Sequence, residues 1–148
     1  MKYAGWTFCC LLLLASSLHA LDVSYGKFLK ITGIKQQAEK LILPVERRKY
    51  HNIRILDKET YQRVRACSSN CVQQVEKFET KVQEVRTAST RPDMWIVSVS
   101  FNRQWLITFL VFRNGEQYRV KSPVNLVFLQ QDLRKRIERD IVAAVKEL

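Results

Sequence analysis

Residues 61–85, YQRVRACSSNCVQQVEKFETKVQEV, decide how the fold is read. Their apolar positions are Tyr61, Val64, Cys67, Cys71, Val75, Phe78, Val82 and Val85, with successive spacings of 3, 3, 4, 4, 3, 4 and 3. Such spacing marks one face of an α-helix. Asp57 or Thr60 can start that helix by accepting backbone N–H groups that the first turn leaves unpaired. The spacing therefore predicts one long helix, with Ser68, Ser69 and Asn70 as the place where it could break, since these are weak helix formers.

Both cysteines lie on this face. Residues four apart on a helix have Cα atoms about 6 Å apart, near the upper end for a bridge, with side chains poorly aimed at each other. Three arrangements stay open, in this order of preference: a loop-closing bridge between Cys67 and Cys71, bridges to a second chain giving a disulfide-linked homodimer, or two buried thiols. A metal held by the pair would need two more ligands. Beyond the leader the chain offers only His51 among histidines, so no metal site is expected.

Downstream the period changes. MWIVSVSF, residues 94–101, places Trp95, Val97, Val99 and Phe101 on one face and Ser98 and Ser100 on the other, the pattern of a strand half covered by a core. QWLITFLVF, residues 104–112, is apolar on both faces and belongs in the middle of a sheet. Asn114-Gly115 tolerates positive φ and turns the chain into QYRVKS, which Pro123 ends. Leu126, Leu129, Leu133, Ile137, Ile141, Val145 and Leu148 then form a second helical stripe, opposite Arg134, Lys135, Glu138 and Arg139.

Upstream, residues 21–50 hold a short apolar stretch, a break at Thr32-Gly33, and Ile34, Ala38, Leu41 and Ile42 at helical spacing closed by Pro44. They read as an N-terminal segment with a short helix and a basic linker. NIRIL, residues 52–56, is a brief strand. The expected fold is α+β: a three-stranded antiparallel meander, a long helix before it and an amphipathic C-terminal helix after it, with residues 51–148 as one domain.

The first twenty residues, MKYAGWTFCCLLLLASSLHA, have the order of regions of a secretory signal peptide: Lys2, an apolar run from Trp6 to Ala15, and small residues around a cut. Cleavage after Ala20 is expected, with Ser17 as the alternative. The apolar run is about ten residues where a spanning helix needs about twenty. Asn102, Arg103 and Gln104 interrupt the most apolar later region, so no integral membrane span is expected. The protein is expected to be secreted. The ending VKEL resembles a retrieval signal in its last three residues and keeps the endoplasmic reticulum lumen as the alternative. Arg47-Arg48 is a paired-basic site within a linker that reads as solvated. There is no Asn-x-Ser/Thr sequon.

The formal net charge is +11. A surplus of this size favours acidic partners, a glycosaminoglycan, anionic lipid, an acidic protein or nucleic acid, of which secretion makes nucleic acid the least expected; an acidic protein or a glycosaminoglycan is the expected partner. The sequence has no Gly-rich phosphate loop, no paired acids and no hydrolytic triad, so neither catalytic residues nor a cofactor are expected. The predicted function is non-catalytic binding. Its contact surface is drawn around Trp105, with Arg103, Arg113, Arg119 and Lys121 as a basic row on neighbouring strands.

A resemblance offers a second function. ILDKETYQRV, then a Cys pair leading into a helix, then ITFLVFRNGEQYRV, then an amphipathic C-terminal helix resembles the order of pieces in a thioredoxin domain. The resemblance implies a lumenal thiol-disulfide or folding factor with a degenerate thioredoxin-like domain using Cys67 and Cys71. The chain departs from that family in spacing its cysteines Cys-x-x-x-Cys, in having Ile107 where the family has its cis-proline, and in leaving three residues between its first two strands.

Overall fold

A computed structural model describes residues 18–44 and 52–148. The leader through Ser17, the Arg47-Arg48 pair and His51 lie outside the described residues. In chain order the elements are β1 (His19–Tyr25), β2 (Leu29–Gln37), β3 (Lys40–Ile42), β4 (Ile53–Ile55), α1 (Lys58–Arg65), β5 (Cys71–Gln73), β6 (Thr80–Ala88), β7 (Arg91–Phe101), β8 (Trp105–Asn114), β9 (Gln117–Lys121), β10 (Leu126–Phe128) and α2 (Gln131–Lys146).

The strands form two five-stranded sheets. In the first, β5, β1 and β2 lie side by side, and β3 and β10 both pair along the far side of β2. The β1–β5 pair is parallel and the others are antiparallel. In the second, wholly antiparallel, β6, β7 and β8 lie side by side, with β4 and β9 along the far side of β8. The expected α+β meander between two long helices is thus corrected to a mostly-β fold. Strands β7, β8 and β9 do pair in order, but inside a larger sheet.

The long helix fails for a local reason. Asp57 caps α1 by accepting the Thr60 N–H at 3.0 Å, and the helix ends at Arg65. A disulfide then joins Cys67 to Cys71, whose Cα atoms are 5.6 Å apart. Cys71 opens β5, pairing with Val23, so the chain is already extended where the stripe predicted a third turn. The stripe's last members sit on β6, where a bulge mimics helical spacing. Val82 pairs with Val99 and Val85 with Val97, because Gln83 is the extra residue between them and returns both valines to one face. Spacings of three therefore arise from two residues of pleat plus one of bulge.

The same device explains the N-terminal segment. Leu21 pairs with Ile34 and Val23 with Ile31, so Thr32 and Gly33 together oppose Asp22. Gly33 has φ +73°, the left-handed region that lets this bulge form. The short helix expected over Ile34, Ala38, Leu41 and Ile42 is instead the β2–β3 hairpin, turning at Ala38.

One core joins both sheets. Leu21, Val23, Tyr25, Leu29 and Ile31 from the first meet Val97, Val99, Phe101, Trp105, Ile107 and Phe109 from the second. Phe78, between β5 and β6, stacks on Phe28 at 4.8 Å and tilts against Phe101 at 5.3 Å, bridging the two. The buried Tyr25 hydroxyl donates to Gln104; burial holds this phenol above its ordinary value, against a smaller opposing pull from Asn102. Leu133, Ile137, Ile141 and Val145 of α2 close the remaining side, against β6 and β9 of one sheet and β10 of the other.

The disulfide closes a short loop between α1 and β5. By the chain-entropy relation a loop this small stabilises the fold by roughly 2 kcal/mol. Replacing both cysteines by serine is expected to cost about that much in urea unfolding, with the slope of the transition changed because the unfolded chain is released.

Candidate functional site

Residues paired across neighbouring strands share a face, so the register of the second sheet gives its two surfaces directly. Trp105, Ile107, Phe109 and Val111 of β8 point into the core and are buried. Their alternates point away from it. Across the sheet, Arg86 on β6 aligns with Ile96 on β7, Leu110 on β8 and Lys121 on β9. A second row runs Lys81, Ser100, Leu106, Arg54, and a third holds Met94, Phe112 and Arg119. Between the first two rows lie Glu84, Ser98 and Thr108. The first two rows are therefore flanked on both sides by cations that β4, β6 and β9 supply from the edges, and the third on the β9 side.

This outer face is hollow. A groove of about 740 Å³ lies over Met94, Ile96, Leu106 and Leu110, with Ser98 and Thr108 midway along it. Its wall is the chain leaving β9, where Pro123 is buried and Val124 is 74% exposed. The wall is pinned to the first sheet: Thr32 N–H donates to the Asn125 carbonyl at 2.9 Å, and the Asn125 amide donates to the Thr32 carbonyl at 3.0 Å. Arg54, Arg86 and Lys121 border the groove, and none of the three is in an ion pair among the described residues. Among the described residues, Glu84 is the one acid lining it. Arg91, ion-paired with Asp93 at 3.4 Å, stands over the Phe112 ring at 5.6 Å at the far end.

The residues expected to share a surface around Trp105 are not all brought together. Trp105 is 1% exposed, and its indole N–H donates to Gln73 Oε1 at 3.0 Å in the core. Arg103 sits in the β7–β8 turn with φ +58°, at the opposite end of β8 from Arg113. Arg113 lies on the core-facing side, over the Trp95 ring at 5.7 Å. Only Arg119 and Lys121 fall on the outer face. Arg54, Arg86, Met94, Ile96 and Leu110 went unnoticed in the sequence. Only Leu110 carried a signal, in the two-faced apolar character of residues 104–112, which marks a central strand but also permits an uncovered apolar floor.

Cys67 and Cys71 bond to each other and leave no described thiol for a bridge to a second chain. Cys67 follows the C-terminal end of α1, whereas the thioredoxin-like reading has the pair leading into a helix. No group of three His, Cys, Asp or Glu residues among those described could hold a metal ion, and no described helix is long and apolar enough to cross a membrane.

No protein-family model, curated protein or solved structure matches this chain.

Proposed function

We propose that this chain is a secreted, non-catalytic binding protein that meets an acidic partner, an acidic protein or a glycosaminoglycan, on the outer face of its second sheet. The observation that carries this is the register of cations along that face: Arg54, Arg86, Arg119 and Lys121 flank its apolar centre, with Glu84 the lone acid among the described residues that line the groove. Cations of one sign around a concave surface focus potential and speed the arrival of an anion. The chain's overall charge of +11 adds a long-range pull in the same direction.

Heparin chromatography tests the reading. The secreted protein should elute only well above physiological salt, because several simultaneous charge contacts outlast screening of any one of them. An Arg86→Glu/Lys121→Glu variant should elute at clearly lower salt, while Arg139→Glu on α2 should shift elution far less. Passage through the column unretained, or equal shifts from both variants, would count against the outer face.

A second reading, a lumenal thiol-disulfide factor using Cys67 and Cys71, is opposed by where the pair sits. Catalytic thiols gain from a helix N-terminus, which stabilises the thiolate. The negative end of the α1 dipole beside Cys67 acts in the opposite sense. Insulin reduction at the background rate, unchanged in Cys71→Ser, is the expected result.

A further inference from the structure

We infer that the groove on the outer face of the second sheet is a binding site for a long-chain carboxylate, whose aliphatic chain lies on Ile96, Leu106 and Leu110 and whose anionic head meets the flanking cations. The inference rests on the same cations as the acidic-partner reading and adds what they surround. An antiparallel sheet with one face in the core ordinarily turns polar residues outward. Here β7 and β8 turn out Met94, Ile96, Leu106, Leu110 and Phe112, all half-buried without any described element packed over them. A polyanion gains nothing from such a floor. A ligand with both an acyl chain and a charge gains from floor and flank together.

Size and chemistry agree. The groove, about 740 Å³, lies within the range of roughly 300–1,000 Å³ usual for small-molecule sites. Its floor of Met94, Ile96, Leu106 and Leu110 is apolar, and besides the bordering cations the lining carries Asn52, Glu84, Ser122 and, midway along the floor, Ser98 and Thr108. Arg54 and Lys121 stand on one flank and Arg86 on the other, so a carboxylate at either border finds a guanidinium or an ammonium. Neutral lipids would lose that contact, and short acids would lose the floor.

The test uses dodecanoate below its micelle concentration, with methyl resonances of the full secreted chain as the readout. Saturable one-to-one binding is expected, with shifts concentrated at Ile96, Leu106 and Leu110. Dodecyl maltoside and acetate should bind at least about tenfold more weakly, each lacking one of the two contacts. Leu110→Ser leaves the charge unchanged and points away from the core; it should weaken dodecanoate by roughly tenfold and leave heparin elution where it was. Ile96→Ser serves the same purpose if Leu110→Ser unfolds. Shifts scattered over the molecule, no saturation, or equal binding of dodecyl maltoside would overturn the site. If dodecanoate fails while heparin elution still depends on Arg86 and Lys121, the acyl site falls and the acidic-partner reading stands. If dodecanoate binds and heparin does not, the reverse holds.

Discussion

Trp105→Ala is expected to lower the stability of the fold by roughly 3–5 kcal/mol, the usual cost of emptying the place of a buried tryptophan. Trp105 is 1% exposed at the junction of the two sheets, so neighbours on both sides lose contact. Its indole N–H also satisfies Gln73 Oε1 at 3.0 Å, and Gln73 is itself buried on β5. Trp105→Phe isolates the second part. It keeps most of the apolar volume but leaves an unpaired amide oxygen in the core, at a cost of roughly 1–3 kcal/mol. Urea unfolding of the two variants measures both. The same proteins discriminate core from contact surface. Under conditions where Trp105→Phe stays folded, heparin elution should match the parent; a large drop in retention without a drop in stability would restore Trp105 to the binding surface.

Why the strands were harder to read than α2 follows from the same residues. Of the C-terminal stripe, Leu133, Ile137, Ile141 and Val145 recur every four residues and are the buried residues of a sixteen-residue helix, whereas Leu126 lies in β10 and Leu129 and Leu148 are exposed. The hairpin after Asn114 carries turn chemistry, Asn114-Gly115, that names it. In β2 and β6, by contrast, a bulge inserts one residue into a period of two. Ile31 and Ile34, like Val82 and Val85, then stand three apart on one face. No count of apolar spacing separates that from a helical turn, because a bulge is specified by the partner strand. The groove was hidden for a related reason. The cations on its borders come from β4, β6 and β9, which are distant in sequence, and only the register brings Arg54, Arg86 and Lys121 around one floor.

Gly33→Ala is the substitution whose effect joins the two sheets to the groove. At φ +73° an L side chain costs roughly 1–2 kcal/mol in the backbone alone. The added Cβ would also stand 2.6 Å from Asn125 Nδ2, which is too close for the amide to stay where it is. Moving the amide breaks its bond to the Thr32 carbonyl, worth about 1 kcal/mol. The expected loss is therefore roughly 2–3 kcal/mol, against about 1 kcal/mol for Asn125→Ala. Because the two residues collide, their effects should not add: with Asn125 already truncated, Gly33→Ala should cost only its backbone share. The consequence reaches the outer face, since Asn125 pins the wall that carries Val124. Asn125→Ala, still folded, should weaken dodecanoate severalfold while leaving the cations of β6 and β9, and with them heparin elution, in place. Unchanged dodecanoate affinity in that variant would mean that the floor alone holds the chain and that the wall contributes nothing.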